Sequence, residues 1–101
     1  MIFIYITNPS EKGAKELAKK LLEKKIIACA NIFPVSSLYK WEGKVVDEKE
    51  FVMIAKTEDK MYRAVKSFVE KNHPYKIPCI TKISVMPNDK YSRWLSRQIK
   101  K

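Results

Sequence analysis

Three side chains in this sequence have the chemistry of metal ligands: His73, Cys79 and Cys29. The imidazole of His73 and the thiol of Cys79 are only six residues apart, and this pair suits Cu(I) or Zn²⁺ if folding brings the two groups together. The cysteines lack the C-x-x-C spacing of small metal and redox motifs. We therefore predict His73, Cys79 and Cys29 as candidate ligands for a metal ion, with no cofactor that the protein requires.

Each of these residues also has a structural interpretation. His73 precedes Pro74-Tyr75 at the predicted end of a helix, where its ring could bond the last carbonyl groups of that helix. Cys29 stands between two alanines in an apolar segment and could be a small core residue. Both thiols are expected to be free, because a reducing compartment disfavours a disulfide.

The sequence holds no pattern typical of a catalytic centre. It has no serine in a G-x-S-x-G motif, and its single histidine is not accompanied by an acidic catalytic signature. We therefore expect a protein that is not an enzyme.

Composition limits the class of protein further. A chain of 101 residues is the size of one domain, which we assign to residues 1–101. The net charge of +10 is carried mostly by lysines spread over the chain, and only three arginines are present, so we expect no nucleic-acid partner. The longest apolar run, 26–30, is too short to cross a membrane, and the first residues do not resemble a signal peptide. These features predict a cytoplasmic protein without a membrane partner.

The first elements can be placed from local patterns. Residues 2–7 are apolar and β-branched, as in a buried strand. Asn8, Pro9 and Glu11 favour the start of a helix, with Asn8 as the N-cap. The apolar residues of that helix recur at the spacing of one helical face: Ala14, Leu17, Ala18, Leu21 and Leu22.

A long hairpin is predicted next. Residues 27–33 form a second strand, which Pro34 and the serines at 36–37 are expected to interrupt or bend. Segments 38–41 and 44–57 then pair around Glu42-Gly43, where glycine permits a tight turn. Tyr39 and Trp41 alternate with a lysine, so one face of the arm is aromatic, and we predict both residues at a subunit interface.

The second half of the chain repeats the pattern of the first. Thr57-Glu58-Asp59 is predicted to open a helix with Thr57 as its N-cap, and Pro74 is predicted to end it. A strand over 79–86 follows, and Asn88 can cap a short terminal helix. The apolar positions of the two helices are Met61, Ala64, Val65, Phe68 and Val69, and Tyr91, Trp94, Leu95 and Ile99.

This order predicts an α+β fold, a ferredoxin-like split β-α-β-β-α-β sandwich with a long hairpin and a C-terminal helix. Each long helix is expected to be a right-handed crossover between parallel neighbouring strands, and both helices are expected to cover one face of the sheet. The other face needs cover, for which another copy of the chain is the simplest source.

Several segments along the whole chain form a distinctive set, among them Ala28-Cys29-Ala30-Asn31-Ile32, Tyr39-Lys40-Trp41-Glu42-Gly43-Lys44, Lys56-Thr57, His73-Pro74-Tyr75-x-x-Pro78 and Tyr91-x-x-Trp94-Leu95. This set resembles the segments of CutA proteins. The resemblance implies a homotrimer in which long hairpins extend neighbouring sheets, and a role in tolerance of divalent metal ions, with copper bound by some members. It implies no enzymatic reaction.

The resemblance also leaves two functions open. Asn31, Glu50 and Lys56 belong to matching segments and could line an intersubunit cleft for a small anionic ligand, as in PII-like signalling trimers, or could be solvated strand ends. The copper ligands of bacterial members look like a cysteine and a histidine pair, and here Ile6 and Asn72 stand at two of those three positions. Only His73 of that ligand set is present.

Overall fold

The computed structural model describes residues 1–101, and its sheet has four antiparallel strands. The first strand, β1 (Ile2–Asn8), lies between β3 (Lys44–Thr57) and β4 (Ile80–Ser84), and β2 (Cys29–Trp41) forms the outer edge beside β3. The β-α-β-β-α-β order and the terminal helix are as predicted. The expectation of parallel neighbours is wrong, because the strands that each long helix connects are separated by another strand.

The first helix, α1 (Glu11–Glu23), has a different N-cap from the predicted one. The Ser10 hydroxyl accepts a hydrogen bond of 3.0 Å from the backbone N–H of Gly13. Asn8 is instead buried at the end of β1, and its side-chain amide donates to the carbonyls of Ile6 and Phe51. Asn8 therefore stabilises the sheet. The helix is capped by Ser10, and serine is also a residue type favoured at N-caps.

The hairpin of β2 and β3 is longer than predicted, because β2 runs without interruption through Pro34. Pro34 lies opposite Phe51, and pairing continues on both sides of it. An edge strand tolerates proline, since one side of its backbone has no strand to bond. The predicted turn at Glu42-Gly43 is confirmed, and both residues have positive φ, 51° and 79°.

The second helix, α2 (Tyr62–Asn72), follows a short 3₁₀ turn at Asp59–Met61. Thr57 does not cap it, contrary to the prediction. Thr57 is the buried last residue of β3, and its hydroxyl donates to the carbonyl of Ile26 over 2.7 Å. The predicted end of the helix before Pro74 is confirmed, as is Asn88 at the N-cap position of the terminal helix, α3 (Asp89–Gln98).

One apolar core fills the space between the helices and one face of the sheet. Ile2, Ile4 and Ile6 project from β1 into it, opposite Thr57, Ala55 and Met53 of β3. Three of the predicted apolar positions differ from expectation, since Leu22, Ala64 and Trp94 are exposed. None of the three helices combines the length and the apolar character that crossing a membrane requires.

The other face of the sheet carries neither of the two long helices, α1 and α2, whose buried side chains belong to the core on the first face. Residues that pair directly across strands share a face, so this open face includes the rows that contain Phe3 and Tyr5. Several of its apolar and aromatic side chains remain partly exposed, Phe33 among them at 38%, whereas Val52 is buried. The prediction that both long helices cover one face of the sheet is therefore confirmed.

Candidate functional site

A groove of about 550 Å³ lies between the hairpin and the loop of residues 73–79, which joins α2 to β4. We call it the acidic groove, because it contains two carboxylates and a single cation, Lys76. Its walls are otherwise aromatic and apolar. The lining residues are Thr7, Tyr39, Trp41, Val46, Glu48, Glu50, Pro74, Tyr75, Lys76, Ile77 and Cys79.

Glu50 is the more buried of the two carboxylates, with 7% of the residue exposed. Its Oε2 accepts a hydrogen bond of 2.6 Å from the hydroxyl of Tyr75. Burial, this hydrogen bond and the negative charge of Glu50 together raise the pKa of Tyr75 well above its usual range. The phenol therefore remains a donor, and it holds the loop against β3.

Glu48 makes the matching contact two residues earlier on β3. Its Oε1 accepts a hydrogen bond of 2.7 Å from the Tyr39 hydroxyl of β2, and this bond is the main cause that raises the pKa of Tyr39. Alternate residues of a strand share a face, about 7 Å apart, so both carboxylates face the groove. The second oxygen of each carboxylate accepts no hydrogen bond from the protein. The groove thus presents two oriented, unneutralised oxygen ligands.

His73 is positioned at the end of α2, but it does not bond the carbonyls of that helix. Its Nε2 lies 2.7 Å from the carbonyl oxygen of Thr7, and its Nδ1 accepts from the backbone N–H of Tyr75 over 3.1 Å. The ring lines a separate cavity of about 200 Å³ beside the start of α1. His73 thus has the structural role that was the alternative to metal binding, but its partners are Thr7 and Tyr75 and not the last carbonyls of the helix. Both ring nitrogens take part in hydrogen bonds.

The two cysteines lie in different parts of the molecule. Cys79 is exposed at the acidic groove, 3.5 Å from the hydroxyl of Thr81. Cys29 begins β2 opposite Lys56. Burial, and after it the neighbouring Cys29, raises the pKa of Tyr91. Neither forms a disulfide. The structure contains no group of three His, Cys, Asp or Glu side chains arranged to hold a metal ion, so it does not bring the three predicted ligands together.

Of the predicted cleft residues, only Glu50 lies in the groove. Asn31 is exposed on β2 opposite Ile54, and Lys56 lies six residues beyond Glu50 on β3. The Lys56 ammonium is 5.5 Å from the centre of the Tyr91 ring, which is a cation–π distance. Within one subunit these three residues therefore do not form a common pocket.

Tyr39 and Trp41 line one wall of the groove and remain 41% and 49% exposed. Glu48 and Tyr75 were not predicted as site residues. The signal for Glu48 was its position two residues from Glu50 on a predicted strand, which places both on one face. Tyr75 stands in a segment that resembles the family, but no local pattern could reveal its contact with Glu50, which joins residues 25 positions apart.

Comparison with known proteins decides the family. The model of the CutA1 divalent ion tolerance protein family matches residues 2–98. The divalent-cation tolerance protein CutA of Archaeoglobus fulgidus is 48% identical over 83 residues, which are 82% of this chain and 81% of the relative. Its counterpart from Pyrococcus horikoshii is 37% identical over 102 residues and the whole of both chains. The chain belongs to the CutA1 family.

Solved CutA structures share this fold. The crystal structure of CutA1 from Pyrococcus horikoshii superposes with a TM-score of 0.96 at 37% identity, covering 100% of both chains. A structure described as the periplasmic divalent cation tolerance protein CutA from Archaeoglobus fulgidus gives a TM-score of 0.95 at 41% identity, covering 99% of this chain and 100% of that chain. The resemblance stated from the sequence motifs is therefore confirmed.

Proposed function

We propose that this CutA protein responds to divalent metal ions by binding them in the acidic groove. The observation that carries the proposal is the pair of carboxylates Glu48 and Glu50, each oriented by a tyrosine hydroxyl and each with one oxygen free of protein partners. Hard divalent cations such as Mg²⁺ and Mn²⁺ bind through one or two carboxylates and keep several waters. Two carboxylates in a groove of this size fit such a hydrated ion.

Copper fits the residues less well. Copper prefers nitrogen and sulfur ligands, and Cys79 is the only such side chain in the groove. The nitrogens of His73 are already bonded to Thr7 and Tyr75, and Cys29 begins β2 outside the groove. We therefore expect hard divalent cations to bind at the carboxylate pair, and copper to bind only through the Cys79 thiol.

The experiment is a calorimetric titration of Mn²⁺ into metal-free protein, repeated with Glu48→Gln, Glu50→Gln and Asp47→Asn. Asp47 directly precedes Glu48 in sequence, is exposed, and does not line the groove, so it is the matched control. Either glutamine should weaken binding at least about tenfold, since each removes one of two charged ligands, and the asparagine should leave it unchanged. Equal binding by all four proteins would contradict the proposal.

The functional unit in this proposal is a homotrimer of ferredoxin-like subunits. Support comes from the open sheet face and from the hairpin, whose exposed aromatic side chains Tyr39 and Trp41 are of the kind that marks protein–protein interfaces. Sedimentation equilibrium should give three times the 11.8 kDa mass of the chain, and Trp41→Ser should lower it. A wild-type protein that sediments as a monomer would overturn this assembly.

A second candidate is a PII-like module that binds a small organic ligand at the groove without a metal. The observation that favours it is the groove volume of about 550 Å³, which falls in the range typical of small-molecule sites. The two carboxylates would select a cationic ligand, unlike the anionic one predicted from Asn31 and Lys56. Thermal stabilisation by organic cations, with none by Mn²⁺, would favour this candidate.

The proposed activity is binding, without catalysis, by a single domain of residues 1–101. We place it in the cytoplasm, where its two free thiols would remain reduced, and assign it no nucleic-acid or membrane partner. A relative from Arabidopsis thaliana is named as chloroplastic and the Archaeoglobus structure as periplasmic. Fractionation of the source cells tests the compartment of this protein directly.

A further inference from the structure

Three hydrogen bonds fix the first half of the loop 73–79. The Nε2 of His73 lies 2.7 Å from the carbonyl oxygen of Thr7, at the end of β1. The backbone N–H of Tyr75 donates to Nδ1 of the same ring over 3.1 Å. The Tyr75 hydroxyl then donates to Glu50 of β3. One imidazole therefore joins β1 to the loop that carries a wall residue of the acidic groove.

These partners require one protonation state of His73. A carbonyl oxygen can only accept, so Nε2 must carry the proton that it donates to Thr7. A backbone N–H can only donate, so Nδ1 must be unprotonated where it faces Tyr75. The ring is therefore neutral, in the Nε2–H tautomer. A metal ion could bind either nitrogen only by breaking one of these two bonds.

We propose that His73 is a positioning residue of the acidic groove, that its protonation releases the loop, and that it does not bind metal. The proposal rests on the proposed function only in taking this groove as the functional site. A second proton would sit on Nδ1 and face the Tyr75 N–H, donor against donor. The backbone bond that positions Tyr75 is then lost, and with it the support of the contact between Tyr75 and Glu50.

The Tyr75 ring lies against the imidazole at 4.8 Å between centres, and β1 contributes the carbonyl of Thr7. The charged side chains that line the two cavities on either side of this loop are Glu16 and Lys20 of α1, Glu50 of β3 and Lys76 of the loop. The ring nitrogens bond only the Thr7 carbonyl and the Tyr75 N–H. The hydrogen bond from Tyr75 is therefore the contact that a second proton on the ring would remove.

Two variants separate the roles of the two nitrogens. Asparagine can accept from the N–H two residues further along the chain, as in Asx turns, and it does not titrate. His73→Asn should therefore keep the Tyr75 N–H bonded at every pH while losing the contact with Thr7. The longer side chain of His73→Gln places its amide near the Nε2 position, so it should keep the contact with Thr7 and lose the bond to Tyr75.

The experiment uses ¹⁵N NMR of the full chain without added metal. His73 is the only histidine, so the imidazole signals belong to it. The tautomer is read at about pH 8, and Tyr75 amide exchange is followed to about pH 5, across the range in which histidine titrates. Exchange is normalised to Ile4, whose strand lies in the middle of the sheet. Zn²⁺ is then added to the neutral protein as the metal probe.

We expect a protonated Nε2, an unprotonated Nδ1, and imidazole signals that Zn²⁺ leaves in place. In the wild type, the normalised exchange rate of the Tyr75 amide should rise about fivefold on acidification, because one hydrogen bond is lost. In His73→Asn this rate should stay constant. In His73→Gln it should be fast at every pH. A proton on Nδ1, Zn²⁺-induced shifts of the ring nitrogens, or the same pH response in His73→Asn would each overturn the proposal. Because the groove carboxylates are not probed, failure of Mn²⁺ to bind them would leave these results intact.

Discussion

The hydroxyl of Tyr75 donates a hydrogen bond of 2.6 Å to the carboxylate of Glu50, a residue with only 7% of its surface exposed. A carboxylate removed from water needs such donors, and this one reaches Glu50 from a loop 25 residues further along the chain. The bond therefore both stabilises the buried charge and closes one side of the acidic groove.

Removing the Tyr75 hydroxyl should destabilise the protein. Tyr75→Phe keeps the ring but leaves Glu50 without its donor, for an expected loss of about 1 to 2 kcal/mol in the free energy of unfolding. Urea unfolding followed by circular dichroism measures the change. Tyr39→Phe is the matched control, because it removes the same hydroxyl from an exposed pair with Glu48 and should change the stability much less. Equal losses in both variants would show that burial of Glu50 is unimportant.

Stability should fall at high pH, and Tyr75 should be a main cause. Its pKa is raised in the folded protein, first by burial and then by the hydrogen bond to Glu50, above the ordinary value of 10.0. The unfolded chain therefore loses this proton first as the pH rises, so the stabilisation is complete below about pH 10 and declines above it. Denaturant unfolding at several pH values above 10 measures the decline. The slope should be shallower in Tyr75→Phe; an unchanged slope would contradict the assignment.

Two substitutions in the turn of the hairpin should change the free energy of unfolding in opposite directions. Glu42 and Gly43 both have positive φ, which suits an asparagine followed by a glycine. Glu42→Asn should raise the free energy of unfolding by a few tenths of a kcal/mol, roughly, and Gly43→Ala should lower it by about 1 kcal/mol. A Cβ at Gly43 would meet no atom within 4 Å, so any loss would come from backbone strain alone. Melting temperatures of the two variants should lie on either side of the wild type.

Loss of the Thr57 hydroxyl should destabilise the protein more than loss of an exposed threonine hydroxyl in a strand. Thr57→Val has nearly the same shape, but it leaves the buried carbonyl of Ile26 without the 2.7 Å hydrogen bond. We expect a loss of about 1 to 3 kcal/mol in urea unfolding. Thr81→Val, at an exposed position of β4, is the control and should be nearly neutral. A neutral Thr57→Val would mean that water replaces the hydroxyl.

The elements of the fold were predictable from local sequence, whereas the starts of α1 and α2 were not. The two helices and the Glu42-Gly43 turn depend on neighbouring residues only, and all three predictions are confirmed. The N-caps were misplaced at Asn8 and Thr57, because both residues make buried hydrogen bonds to distant strands or loops. Such contacts outweigh the local preference of asparagine and threonine for helix starts.

The site was predictable only in part, for a similar reason. Glu50 was identified within a family segment, and Glu48 follows from strand periodicity. The place of His73 could not be derived, since its partner Thr7 lies 66 residues away along the chain. From the sequence alone, the ring nitrogen that makes this contact could have bound either a backbone carbonyl or a metal ion.

Binding of a divalent cation by Glu48 and Glu50 can be observed by anomalous X-ray scattering from crystals grown with Mn²⁺. We expect an anomalous peak in the acidic groove within coordination distance of both carboxylates, and its loss in crystals of Glu50→Gln. A groove without a peak, or a peak held by His73 or Cys29 instead, would contradict it.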